Sequence, residues 1–296
     1  MSAEPLLRSH PLRATQPGRR RTEAIVRGLA FAAGAVALLP LVLVIAFLLV
    51  EGLRAWTPAF LVSPPGGLTT QGGGALHAIV GTLEMVGLAL LIATPFGLAV
   101  ALYVVEYRAG RLALAVRTAV DLVAGIPSIV IGLFVYALVV LTTGHFSGYA
   151  GALALALIML PIIARTSEEM LKIIPRRMRE GTMALGMPRW RAIVAIYLPT
   201  VASGITTGIV LAVSRAIGET APLLFTTLGS NFVETDMAQP MSALPLYMFQ
   251  NALNIGFPAA RERAWAAGLT LVAIVLIFNL LGRWLSSRTR LAGGGQ

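Results

Sequence analysis

GLAFAAGAVALLPLVLVIAFLLV, residues 28–50, is an unbroken apolar run bounded by Arg27 and Glu51. As a helix its 23 residues span about 34 Å, enough to cross a hydrocarbon layer of roughly 30 Å. A helix in the core of a soluble protein rarely needs that length. The whole chain agrees with the run: 57% of its residues are hydrophobic, 12% are charged and the mean hydropathy is +0.81. This is the composition of an integral membrane protein.

Lipid offers the backbone no hydrogen-bond partners, so spans must be helices or closed barrels, and the strict alternation of a barrel strand is absent. Reading outward from the first run predicts six helices. They cover residues 28–50, 79–105, 119–141, 149–164, 196–221 and 264–285. Pro95 and Pro127 fall inside two of these spans and predict kinks. The fold class is therefore an all-α integral membrane protein with six transmembrane helices.

Charge sets the orientation. All but four (Arg54, Arg215, Arg261 and Arg263) of the 23 lysines and arginines fall in the N-terminal tail, in the loops after spans two and four, or at the C-terminal end. The positive-inside rule then places both termini in the cytoplasm. The same sorting explains the net charge of +10 without nucleic acid, because the basic residues follow the loops and form no stripe on a soluble domain. The chain has no cysteine, which excludes disulfides and thiolate chemistry. His10, His77 and His145 show no ligand spacing, so no metal site is predicted. Residues 1–27 lack a short apolar core with a small-residue cleavage site and read as a disordered basic cytoplasmic tail.

The stretch SPPGGLTTQGGG, residues 63–74, predicts a Pro/Gly-rich periplasmic linker, so that residues 28–71 form the first helix and its linker. The working core is then 72–285, and 286–296 is a second cytoplasmic tail. TTGHFSG, after span three, reads as a simple turn. The loop after span four is longer and patterned. It occupies residues 165–195, and from Glu180 the segment EGTMALG predicts a short surface helix closed by Gly186. Flanked by arginines, such a helix suits docking of a cytoplasmic partner.

Glu180, Gly186, Ile196, Leu198 and Pro199 stand in the spacing Glu-Ala-Ala, three residues, Gly, nine residues, Ile-x-Leu-Pro. This resembles the signature of the inner-membrane permeases of ATP-binding cassette importers, with Gly181 and Thr182 in place of the two alanines. Residues 69–107, VAGIPSIVIGLFVY at 123–136 and RAIGETAPLLFT at 215–226 narrow the resemblance to phosphate-specific permeases of the PstA type. The likeness covers nearly everything from Gly72 to Gly282. It implies a type I importer permease architecture in the bacterial inner membrane. It also implies a sister permease of the PstC type, two copies of a cytoplasmic ATPase of the PstB type and a periplasmic phosphate-binding protein of the PstS type, besides membrane lipid. ATP and Mg would belong to the ATPase, and no cofactor to this chain. One observation agrees independently: the chain's lysine, Lys172 in MLKII, follows no phosphate-cradling loop, so if ATP drives this protein another chain binds it.

The resemblance places ATPase docking on Glu180, Gly181, Ala184, Leu185 and Gly186. Candidates for the substrate path are Arg215, Glu219, Thr220 and Glu84. Arg215 and Glu219 are spaced i, i+4, so on a helix they share a face and can pair. A charge at mid-bilayer costs about 2.5–3.5 kcal/mol on insertion scales and usually faces a bundle interior or an aqueous cavity. Counted from Pro199, Arg215 lies about 24 Å along the helix, in the outer half of the membrane. Two readings follow: the pair ends the fifth span at headgroup level, or Arg215 attracts an oxyanion while Glu219 holds it in place and weakens its grip. Gly204 and Gly208 form a GxxxG that predicts helix packing, and Asp121 predicts a hydrogen bond across the bundle. The rival functions are permeation of another oxyanion, sulfate or molybdate, and an ATPase-independent channel or enzyme. No nucleophile–base pair or acidic dyad favours the enzyme.

Overall fold

A computed structural model describes residues 17–67, 70, 72–107 and 110–293. Arg8, Arg13, Arg108 and the expected disorder of residues 1–16 lie outside the described residues. Among the described residues every regular element is helical. The chain divides into two units, Met1–Val50 and Glu51–Gln296.

The described residues of the first unit, 17–50, form one helix, the larger part of α1 (Pro17–Ala55). Helix begins at Pro17, so the part of the tail expected as disordered is helical over residues 17–27. Proline is at home in a first turn, where its missing N–H leaves no intrahelical bond unmade. The Glu23–Arg27 pair at 2.9 Å supports that added length. Large apolar side chains are exposed on every side of the helix from Ile25 to Val50, the pattern of a lipid-facing span.

The second unit opens with the end of α1 and α2 (Pro58–Val62), capped by the Thr57 side chain, which accepts from the Phe60 N–H. The described residues of the segment 63–74 are tied down by backbone hydrogen bonds. The Gly74 N–H donates to the Pro64 carbonyl at 2.7 Å and the Ala75 N–H to the Phe60 carbonyl at 2.8 Å. A Cβ on Gly74 would collide with the carbonyls of Phe60 and Ser63, so the segment folds tightly because glycine leaves room for the backbone. Buried Arg263 ties it down, donating to the carbonyls of Gly67 at 2.9 Å and Gly72 at 3.2 Å. The compact unit therefore starts at Glu51, ahead of the expected boundary at Gly72.

Three long helices make the centre: α3 (Leu76–Glu106), α7 (Gly148–Lys172) and α10 (Leu198–Ile217). Their contact is built from small residues, with Ala89 and Ala93 of α3, Ala152 and Ala156 of α7, and Ala212 and Ala216 of α10 buried around Met85, Leu155 and Met159. Without a hydrophobic driving force in lipid, helices associate through such close approach. α7 runs past the expected end at Ala164 because Arg165, Glu168 and Lys172 neutralise one another on its last turns.

Among the described residues five helices are long and apolar enough to span a membrane, and a sixth crossing is a bent pair. The expected third span is α4 (Arg111–Gly125) followed by α5 (Ser128–Val135), a π turn at Tyr136–Val140 and α6 (Leu141–Thr143). The two halves meet at 105°. Pro127 explains the break, since it disfavours helical backbone at the preceding residue, and Ile126 is extended at φ −73°, ψ 132°. Pro95 and Pro161, by contrast, sit inside helices that run on. After α7 come α8 (Arg176–Ala184) and α9 (Arg189–Ala192), which passes through a π turn at Ile193–Tyr197 into α10. The short α11 (Ala221–Thr226) packs on α5, α12 (Leu244–Leu253) on the long last helix, and α13 (Pro258–Gly293) continues beyond the expected end at Leu285.

Candidate functional site

The break at Ile126–Pro127 opens a cavity of about 90 Å³. Val123 and Ala124 from the end of α4, Ile126 at the break, Ser128 and Ile131 of α5, and Ile158, Pro161 and Ile162 of α7 wall it, and Arg215 of α10 completes it. Of these side chains Arg215 and Ser128 alone are polar. The α7 residues sit at the middle of their helix, about 18 Å from either end. Arg215 thus reaches the middle of the bundle, deeper than its count from Pro199 suggests, because helical side chains lean toward the N-terminus of their own helix.

Glu219 is not on the same helix face. α10 ends at Ile217, Gly218 and Glu219 donate their N–H groups to the carbonyls of Arg215 and Ala216, and Glu219 lies in the turn that follows. The two still meet, with Nε of Arg215 3.5 Å from a carboxylate oxygen of Glu219. That distance is long for a charge-assisted pair. Glu219 is 14% exposed and Arg215 59% exposed, and the two terminal nitrogens of the guanidinium have no partner among the described residues. A guanidinium that uses only Nε keeps the planar fork that matches an oxyanion. Thr220 follows as the residue before α11, half-buried, its carbonyl accepting from the Leu224 N–H. Glu84, on α3, does not line this cavity, and one of its carboxylate oxygens is buried without a partner.

The residues expected to dock an ATPase lie at the basic face. α8 starts four residues before Glu180, after Pro175, and ends where Gly186 adopts φ +68°, with the Gly186 and Met187 N–H groups donating to the carbonyls of Met183 and Thr182. Glu180, Gly181, Ala184, Leu185 and Gly186 are all exposed, Leu185 to 81%. The inner side of α8 is anchored. Arg179 pairs with Glu106 at the end of α3, donates to the Leu171 carbonyl of α7 at 3.1 Å and lies over the Tyr197 ring at 5.1 Å. Buried Thr182 and the Tyr197 hydroxyl are 2.9 Å apart. Gly204 and Gly208 stand against Met170 and Thr166 of α7, where a Cβ on either would collide.

The hydrogen bond expected of Asp121 across the bundle is present, to Arg165 of α7, but the rest of its cluster and the setting of Arg263 escaped the sequence reading. Glu168, buried in α7, pairs with Arg117 of α4 and with Arg165 and Lys172 of its own helix, and Arg165 pairs with Asp121 of α4. The spacing of Arg165, Glu168 and Lys172 signalled the local half of this network, but nothing local signalled Arg117. Arg263 was legible only as a charge on the outer side, and its burial against glycine carbonyls follows from the fold of residues 63–74.

Residues 93–291 match the family model described as a binding-protein-dependent transport system inner membrane component. The phosphate transport system permease protein PstA of Yersinia pestis is 39% identical over 94% of this chain and 94% of its own length. The chain belongs to the PstA family. Another member, PstA 1 of Mycobacterium tuberculosis strain H37Rv, is 39% identical over 92% of this chain and 91% of its own. This PstA-family permease is accordingly a multi-pass protein of the bacterial inner membrane and a transport component rather than an enzyme. Its fold is that of ATP-binding cassette importer permeases. A chain of a bacterial alginate transporter solved with an alginate-bound periplasmic protein superposes with a TM-score of 0.66 over 90% of this chain and 96% of that one, at 17% identity. A chain of the inward-facing MetNI methionine transporter gives 0.61 over 72% and 95%, at 18% identity.

Proposed function

We propose that this chain is the transmembrane permease subunit of an ATP-driven inorganic phosphate importer. It forms the translocation path with a sister permease of the PstC type, couples to two cytoplasmic ATPases of the PstB type, and receives phosphate from a periplasmic protein of the PstS type. Both termini are cytoplasmic. The substrate of the PstA relatives supports phosphate over sulfate or molybdate.

The observation that carries the path is the Arg215 guanidinium, held loosely by Glu219 and open to a cavity at mid-depth. A permeating anion must be bound well enough to enter and weakly enough to leave. Arg215 supplies the charge-assisted hydrogen bonds, and Glu219 fixes the guanidinium while opposing a second negative charge. Glu84 and Thr220 belong to the same path at other levels. Closure of the ATPases on ATP moves α8 and rocks this subunit against its sister, opening the cavity outward, and hydrolysis lets phosphate leave inward.

The test is phosphate uptake in cells whose only copy of this permease carries Arg215→Gln, with its membrane level measured in parallel. Loss of uptake at an unchanged level is expected. Normal uptake would make the pair a helix terminus and nothing more.

A further inference from the structure

Ser128 faces Arg215 across the same cavity, and we propose that its hydroxyl is the second polar contact of the transported anion. The inference rests on the reading of that cavity as part of the path. Several helix hydroxyls in the bundle are satisfied from within: Thr82, Thr166, Thr207, Ser214, Thr226 and Thr270 each donate to the carbonyl four residues earlier at 2.7–2.9 Å, whereas those of Thr94 and Ser167 are buried without a partner. Ser128 is denied that bond. The carbonyl four residues before it belongs to Ala124, in α4, on the other side of the 105° bend. Its hydroxyl has no partner among the described residues and lines a cavity otherwise walled by apolar side chains and Arg215. Ser128 is half-buried, so its hydroxyl is open to whatever occupies the cavity. About 90 Å³ is room for several waters or one small tetrahedral oxyanion.

The two contacts differ in chemistry and in support. Arg215 only donates and is always charged, whereas a serine hydroxyl donates to an anionic oxygen or accepts from a protonated one. Phosphate near neutral pH offers both kinds of oxygen. Arg215 sits in the last turn of α10 and Ser128 at the first position of α5, so movement of one helix against the other breaks one contact before the other. The anion is then held by a single group, which favours release.

The absence of cysteine from this chain makes a direct test possible. In the purified full importer carrying Ser128→Cys, the thiol of this chain is labelled with a small negatively charged methanethiosulfonate, with and without excess inorganic phosphate, and read by mass spectrometry. Labelling that phosphate slows roughly tenfold is expected. A thiol that does not react, or reacts equally with and without phosphate, overturns the assignment. In parallel, Ser128→Ala should raise the KM for uptake roughly tenfold, the loss of one hydrogen bond to a charged group, with Ser128→Thr falling between it and the parent. An unchanged KM in Ser128→Ala beside an inactive Arg215→Gln would refute the role of Ser128 and leave the path intact, whereas an active Arg215→Gln would refute the path itself.

Discussion

Glu168 carries the densest electrostatic load of any residue in the bundle. Its side chain is 4% exposed and pairs with Arg117, Arg165 and Lys172, whose side chains are 35%, 32% and 31% exposed. Replacing it with glutamine keeps the shape but takes the carboxylate from Arg117, while Arg165 keeps Asp121 and Lys172 keeps Glu169. Breaking a buried pair costs about 3–5 kcal/mol, and the partial exposure of the cations puts the loss near the lower figure. Glu168→Gln should therefore lower the Tm of the purified importer, and added salt should recover part of the loss by screening the cations. An unchanged Tm would mean that Asp121, Glu169 and water, rather than Glu168, neutralise them. At this scale the sequence was partly legible. Arg165 and Lys172 are helical neighbours of Glu168 and can be read by spacing alone, whereas Arg117 arrives from 51 residues away and only the fold brings it. Arg215 was legible as a charge in an apolar run, but its depth was not, because counting residues ignores the direction in which the side chain leans.

Among the elements, α10 depends most on small residues. Gly204 and Gly208 lie one turn apart against Met170 and Thr166, and a Cβ on Gly208 would overlap both the hydroxyl and the Cβ of Thr166. Thr166 cannot swing away without losing its 2.7 Å bond to the Ile162 carbonyl. Gly208→Val should cost about 1–3 kcal/mol as overpacking and shift α10 from α7, read as a lower Tm and weaker uptake. Gly87→Ala on α3, with no atom within 4 Å of the added carbon, is the steric control expected to leave Tm unchanged. An equal loss in both variants would remove the packing argument. The GxxxG pattern was readable, but its partner helix was not. The third span shows the opposite limit. Pro127 predicted a kink, yet a 105° turn also needs α5 to be seated elsewhere, and that seat is Gly132 packed on Pro222 of α11, a residue 90 positions later. Hydropathy reads a run of apolar residues and is blind to whether the run is straight.

For the whole molecule the question is how a force applied at the basic face reaches a cavity at mid-depth. α8 presents Glu180 and Leu185 to solvent while its other side is bound to α3, α7 and the helix that becomes α10, through Arg179 and Thr182. Under the proposed coupling, docking and transmission fall to different residues of one short helix, and they can be separated. Glu180→Arg reverses a charge on the outward side. It should abolish co-purification with the ATPase and ATP-driven uptake while membrane insertion continues. Arg179→Ala removes the links to Glu106, the Leu171 carbonyl and the Tyr197 ring and leaves the Thr182–Tyr197 contact and the outer side intact, so the ATPase should still co-purify and hydrolyse ATP while uptake falls at least tenfold. If Glu180→Arg still assembles and transports, α8 is not the docking element. If Arg179→Ala transports at the parental rate, movement of α8 reaches Arg215 by another route, of which the continuous helix from α9 through the π turn at Ile193–Tyr197 to α10 is the remaining covalent one.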